Sequence, residues 1–300
     1  MEPNVQRNNK NRNEDHVGDC SSSGTMYRLL VINPNSTQSM TDNIVKVSKR
    51  AVYEYVAASH ATENDGENRN AIKITLDGKS NKSAPPAIQG PNDGEIAIPG
   101  VLNLIQDNMK MYDGFLIACF DDIGLQESRQ LISSSSKSND VKPAVTGIGE
   151  AAYLRAASAA AATVTKVAPN ANSSSSQSKF GVVTTVAEAV PVIQENIQNL
   201  GLSNKCVKVD AAGIPVLDLE RDPTNSSQIV SKTIQNLLSE DGSDDDDAVS
   251  AIVLGCAGMA NIVSQLEQDK ENGILPGHVT LIEPISAGIY QLLDEIVKRH

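Results

Sequence analysis

Two cysteines each end an apolar run and stand just before turn-forming residues. The first run is Gly114-Phe115-Leu116-Ile117-Ala118-Cys119-Phe120-Asp121-Asp122-Ile123-Gly124-Leu125. The second is Ala251-Ile252-Val253-Leu254-Gly255-Cys256-Ala257-Gly258-Met259-Ala260. Each reads as a buried strand that delivers a thiol to a strand-to-helix turn. One such thiol is more often a core residue than a catalyst. Two in matching contexts, in opposite halves of the chain, point to a duplicated scaffold with one reactive thiol per half. That pairing suits the removal of a proton from one face of a carbon and the return of a proton to the other. A carbon acid beside a carbonyl passes through an enolate when it loses its proton. Each proton-transfer group contributes about 10²–10⁴-fold, and backbone N–H groups aimed at the enolate oxygen supply much of the rest. Gly255, Ala257 and Gly258 leave little bulk beside Cys256, so a flat substrate can lie against the backbone there. Such chemistry needs no cofactor and no metal when the carbon is already acidic.

The thiols require strands to carry them. The first β-like run, Tyr27-Arg28-Leu29-Leu30-Val31-Ile32, ends in the turn Asn33-Pro34-Asn35-Ser36-Thr37. Asn35, Ser36 and Thr37 can each cap the helix expected from Gln38 to Ala58. A strand over Ala71–Leu76, a loop Ala84-Pro85-Pro86-Ala87-Ile88-Gln89-Gly90 and a helix over Asp93–Asn108 lead to the Cys119 strand. Val141–Gly147 is the next strand, and Ile148-Gly149-Glu150 opens an Ala-rich helix. The pattern then restarts. Lys179–Thr185 is a strand ending in a polar turn, and a helix follows over Val190–Leu200. Val207–Asp210, a segment Ile214–Leu217 and a helix over Ser226–Ser239 lead to the Cys256 strand. Val279–Ile282 and a helix over Ile285–His300 close the chain.

Strands alternating with helices give an α/β fold of parallel sheets covered by helices. The restart gives two pseudo-symmetric halves with the active site in the cleft between them. We expect residues 27–146 plus 282–300 to form the half that holds Cys119, and residues 147–281 the half that holds Cys256. In open parallel sheets ligands bind at the carboxyl ends of the strands. The Asn33, Cys119, Thr184 and Cys256 turns all lie at such ends. A helix starting after each thiol would set its positive end beside the sulfur and lower the thiol pKa.

Composition bounds the function. The net charge of −12 argues against nucleic acid or an anionic membrane surface as partner. Aromatic residues make up 3% of the chain, so its core must be aliphatic, as in Val/Ile/Leu-rich parallel strands. Residues 1–26 are polar enough to be a disordered tail. No apolar signal region or membrane-length run is present, which places the chain in a reducing, cytoplasmic compartment. The four cysteines, Cys20, Cys119, Cys206 and Cys256, are then free thiols. The run Asp244–Asp247 lacks the ligand spacing of a calcium loop and reads as solvated. The Ser-rich stretches Ser133–Asn139 and Asn170–Ser178 read as loop insertions.

Competing chemistries find little support. The four histidines make no zinc spacing. Gly147-Ile148-Gly149 lacks the third glycine of a dinucleotide fingerprint, and no P-loop or GxSxG stands in the chain. Asp121 and Asp122 read as helix caps rather than bases.

The ordered blocks resemble the hydantoin racemase family of the aspartate/glutamate racemase superfamily. Leu30-Val31-Ile32-Asn33-Pro34-Asn35-Ser36 is similar to that family's opening, and Ile117–Leu125 to its first cysteine motif. Gly147–Ala152, Val182–Thr185 and Val253–Met259 resemble three further blocks, so the likeness covers about residues 27 to 298. The resemblance implies two α/β halves and cofactor-independent racemisation by two cysteines, Cys119 and Cys256. It implies substrate contacts from Asn33, Phe120, Thr184, Thr185, Gly255, Ala257 and Gly258. Family members act on 5-substituted hydantoins and close relatives on allantoin, which implies a small cyclic ureide as substrate. A homo-oligomer is compatible with it. Two departures stand out. Ala87 and Gln89 replace the family's usual Ser and Glu, which leaves the preferred ring substituent open, and Ile123 stands where the family often has Pro. Ala257-Gly258 and the Asn33 turn also differ from glutamate racemases, which disfavours free acidic amino acids. A related cysteine-dependent isomerase or decarboxylase, an amino-acid racemase and a non-catalytic ureide-binding protein remain alternatives.

Overall fold

The computed structural model describes residues 25–61, 72–135, 141–167, 179–240 and 249–299. The expected tail up to residue 24 with Cys20, most of the two Ser-rich insertions and the Asp244–Asp247 run lie outside the described residues.

The first sheet contains β1 (Met26–Asn33), β2 (Lys73–Ser80), β3 (Gly114–Ile117) and β4 (Ala144–Gly147) in the order β2-β1-β3-β4. The second contains β5 (Lys179–Thr184), β6 (Cys206–Ala211), β7 (Val249–Gly255) and β8 (Thr280–Ile282) in the equivalent order β6-β5-β7-β8. Every pairing in both sheets is parallel. All residues of β3, β4 and β7 are buried. Helices on both faces account for this, and for the nearly continuous apolar runs of β3 and β7.

Alternate residues of each strand feed opposite layers. Leu29, Val31 and Leu116 meet α1 (Gln38–Ala61) and α9 (Pro284–Val297), whereas Leu30, Ile32, Phe115 and Ile117 meet α2 (Pro91–Asn108) and α3 (Leu125–Ser135). In the second sheet Ile252 and Leu254 face α7 (Pro223–Glu240) and α8 (Val263–Glu271). Ala251 and Val253 face α4 (Ile148–Val167) and α5 (Val190–Asn199). The period-two alternation of Cβ directions makes one apolar run serve two layers.

Two helices tie the halves together. α4 follows β4 in the chain yet packs against β7, and α9 lies against α1, α4, β3 and β4. The Glu283 carboxylate starts α9 by accepting hydrogen bonds from the Ile285 and Ser286 amides, both at 2.8 Å.

Several boundaries differ from the sequence reading. β2 begins two residues later than expected and runs on to Ser80. The strand expected over Lys179–Thr185 ends one residue earlier, at Thr184, and the segment Ile214–Leu217 leads through a turn into the short helix α6 (Asp218–Arg221). α3 and α8 carry many polar residues, which blurs the apolar stripe by which a helix is recognised.

Candidate active site

In each sheet the first strand lies beside the third, and the connection leaving the first runs to one side while that leaving the third runs to the other, which opens a crevice between their carboxyl ends. In the first half that crevice is flanked by the Asn33 turn and the Cys119 turn; in the second, by Thr184-Thr185 and the Cys256 turn. The thiols come close enough for the charge of Cys256 to act on Cys119.

Cys119 is half-buried and Cys256 is buried, and both are free thiols. Cys256 keeps extended backbone angles (φ −158°, ψ 137°) and is followed by a 3-10 turn, Ala257–Asn261. That turn brings the amides of Gly258 and Met259 to the sulfur, and the Thr185 hydroxyl donates to it as well. Cys119 has one such donor, the Asp121 amide. α3 does not start at Cys119; a turn closed by the amides of Asp122 and Leu125 intervenes.

The expected lowering of the thiol pKa is therefore not what the site produces. Burial pushes Cys256 up to about 11, and the donors at its sulfur only moderate the rise. Burial also raises Cys119 well above its ordinary value, with the Asp121 carboxylate adding to the rise. Desolvation penalises the charged thiolate more than a single turn of N–H groups compensates.

The other residues singled out from the sequence divide into two groups. Thr185 and Gly258 turn hydrogen-bond donors toward Cys256. Asn33, Thr184 and Phe120 hold the frame. The Asn33 amide donates to Asn35 Oδ1 at 2.9 Å, to Thr41 Oγ1 at 2.9 Å and to the Thr37 carbonyl at 3.2 Å. The Thr184 hydroxyl donates to the Gly255 carbonyl at 3.0 Å. The Phe120 ring packs edge-on against Tyr153, with centroids 5.2 Å apart. Ala257 is buried among residues of α1 and α9.

Asp122 does cap a helix, but not its own. Its carboxylate accepts from the Gly149 amide at 2.9 Å and the Glu150 amide at 2.6 Å, at the start of α4. A left-handed backbone (φ 53°) turns it toward them. Burial pushes its carboxyl up to about 8, although those two amides pull the other way. Asp121 is held by its main chain, whose carbonyl accepts from Asn196 Nδ2 at 3.3 Å. Among the described residues its side chain caps no helix.

Two segments close over the strand ends. The loop 84–90 is tied to the Asn33 turn by Ser36 N–H on the Pro85 carbonyl and by the Thr37 hydroxyl on the Pro86 carbonyl. Its Ala87 is buried among second-half residues. From the other side, α6 sets Leu219 against Gly258 and sends Glu220 across to α1. Glu220 accepts from Ser39 Oγ at 3.0 Å and from Asn43 Nδ2 at 2.9 Å. Replacing Glu220 with Ala is expected to cost about 1 kcal/mol in urea unfolding, below the roughly 1.5–3 kcal/mol of hydrogen bonds to a charged group because the site is partly solvated. No change in the midpoint would show that the clasp adds nothing.

Sequence reasoning missed the roles of Glu220 and Tyr153, which are joined to the cleft across long sequence separations, and that of the Met259 amide beside Cys256. A cavity of about 540 Å³, lined in part by Arg28, Tyr112, Lys142 and Arg299, opens near the amino ends of the first-half strands and contains none of the residues above. No described helix is long and apolar enough to cross a membrane.

Comparison with known proteins gives a consistent picture. The profile of the Asp/Glu/Hydantoin racemase family matches residues 29–292. A hydantoin racemase of Rhizobium meliloti is 29% identical over 262 residues, covering 86% of this chain and 87% of that protein. The solved allantoin racemase from Klebsiella pneumoniae superposes with a TM-score of 0.64 at 28% identity, covering 91% of this chain and 89% of that one. Allantoin racemase from Pseudomonas fluorescens, at 22% identity and a TM-score of 0.63 with 91% of both chains covered, shares the fold.

Proposed function

From the premise that this chain belongs to the Asp/Glu/hydantoin racemase family and is an isomerase of the racemase type, we propose that it interconverts the enantiomers of a hydantoin-type ring by proton transfer between Cys119 and Cys256. One observation carries the reading: two thiols stand at equivalent strand ends of two equivalent sheets, near enough for the charge of one to act on the other. The names of the similar proteins, hydantoin racemase and allantoin racemase, support a cyclic ureide as substrate, with allantoin the preferred one.

The thiolate of one cysteine takes the proton from C5 of the ring, and the electron pair moves into the adjacent carbonyl. The thiol of the other cysteine gives its proton to the opposite face and becomes the thiolate. The opposite enantiomer reverses the roles. The enolate oxygen is held by backbone N–H groups of the Gly255–Gly258 turn other than the Gly258 amide, which serves the Cys256 sulfur, and the Thr185 hydroxyl stabilises the thiolate of Cys256. The ring's own carbonyls acidify C5, so the step calls for no cofactor. A ureide racemase of this kind fits nitrogen-compound metabolism.

The pH dependence has a definite sign. A thiol held at about 11 is neutral at pH 7, and its thiolate grows as pH rises. Because kcat/KM reports the free enzyme, it should climb close to tenfold per pH unit, with no plateau between about pH 7 and 9. A flat profile across that window would mean that the reacting thiolate forms at much lower pH.

The decisive experiment follows the optical signal of enantiopure allantoin and 5-methylhydantoin in heavy water, with deuterium at C5 read by NMR and a no-enzyme control. Loss of signal with deuterium incorporation supports the proposal, and the faster ring identifies the preferred substituent. No loss above the control, from folded and reduced protein, would overturn it.

A further inference from the structure

The turn after β3 carries two adjacent carboxylates with opposite fates. Asp122 is turned by its left-handed backbone onto the start of α4, where two amides satisfy it. Asp121 is left without that use. Among the described residues, none donates a hydrogen bond to its carboxylate, and none forms an ion pair with it. It is only partly exposed, and burial pushes it up to about 6. A partly desolvated carboxylate without protein donors is completed by water or by whatever binds there.

Its position is fixed from two sides. The Asp121 amide points at the Cys119 sulfur, and its carbonyl is tied to Asn196 of α5 in the other half. From there its charge acts on Cys119 and on Cys256, the one carboxylate that acts on both thiols among the causes that dominate their behaviour. A substrate bearing a carboxylate would meet repulsion from Asp121 at the thiols. A neutral ring edged with N–H groups would supply the donors that Asp121 lacks.

We propose that Asp121 is the specificity residue of this site, accepting a hydrogen bond from a ring or ureido N–H and turning away substrates that carry a carboxylate beside the reacting carbon. The inference rests on the reading of Cys119 and Cys256 as the proton-transfer pair. It makes Asp121 a discriminator by charge, so its effect must depend on the charge of what enters the cleft.

Two measurements at pH 8, where Asp121 is ionised, test it. The first compares racemisation of 5-methylhydantoin with that of hydantoin-5-acetic acid by wild type, Asp121→Asn and Asp121→Glu. Asp121→Asn should narrow the preference for the neutral ring about tenfold, chiefly through KM, and Asp121→Glu should restore it. The second needs no turnover. Alkylation of Cys119 and Cys256 by anionic iodoacetate and neutral iodoacetamide is followed by mass spectrometry of the peptides. In each reaction the thiolate displaces iodide and forms a C–S bond. Any change in thiolate fraction affects both reagents equally, so the ratio of their rates isolates the field at the sulfur. That ratio should rise about tenfold in Asp121→Asn and stay low in Asp121→Glu. If Asp121→Asn does not fold, Asp121→Ser serves in its place. An unchanged alkylation ratio, or equal losses on both rings, would overturn the proposal. If wild type racemises neither ring, the reading of the cysteine pair fails by itself, and the alkylation ratio still decides whether Asp121 guards the thiols.

Discussion

Replacing Cys119 or Cys256 with Ser is expected to lower racemisation of a hydantoin-type ring by about 10²–10⁴-fold, the contribution of one proton-transfer group. A hydroxyl is far less acidic than a thiol, so the seryl oxygen can neither become the base nor return a proton fast enough. The two variants should differ in a way that a merely structural role would not produce. Each retains one thiol facing one side of the ring. In heavy water, that thiol should still wash out the C5 proton of one enantiomer without inverting it, and Cys119→Ser and Cys256→Ser should choose opposite enantiomers. NMR of each enantiomer separately reads this exchange, and circular dichroism of the protein shows whether the fold is intact. If both single variants racemise at the wild-type rate, the two-thiol mechanism is wrong. If both lose exchange on both enantiomers while still folded, the thiols act as one unit rather than as two faces.

The second large effect is expected at Gly149→Ala. Gly149 is the second residue of α4, and its amide donates to Asp122. A Cβ at this position would overlap the Phe120 carbonyl oxygen and come within 2.9 Å of Asp122 Oδ2. A flexible side chain could step aside, but a main-chain carbonyl in the Cys119 turn cannot do so without moving the turn. Overpacking costs about 1–3 kcal/mol, and loss of the Asp122 cap adds about 1 kcal/mol. The better helix propensity of Ala returns at most about 1 kcal/mol. The balance is a loss of about 1–3 kcal/mol in urea unfolding. Activity should fall further than stability, because a shift of about 1 Å in a reacting group can cost about 10²-fold. Gly277→Ala is the control, since a Cβ there meets nothing within 4 Å. If Gly149→Ala matched Gly277→Ala in both readouts, the turn would be free to move and α4 would not position Cys119.

Some of this molecule was legible because the signal is local. β3 and β7 are buried on both faces, so their sequences are nearly continuous apolar runs, and the residues after them must be a turn that carries Cys119 or Cys256 at the strand end. Asn33-Pro34-Asn35 reads as a turn because short polar side chains bond to nearby backbone, as the Asn33 and Asn35 side chains do. The restart at Lys179 announced the second sheet.

What the tertiary structure decided are the properties that depend on what lies across space. The sequence placed a helix start beside each thiol and so implied a lowered pKa, but burial raises both, because desolvation is set by surrounding atoms far away in the chain. Asp121 and Asp122 are neighbours with the same side chain, yet one caps α4 and the charge of the other acts on both thiols. A backbone turn at Asp122 and the approach of Gly149 separate them, and neither shows in their order. Glu220 joins the halves only because α6 meets α1 from 177 residues away. Local sequence determines which elements form and where their reactive ends lie; burial and through-space contact determine how those ends behave, and these exist only once the chain has folded.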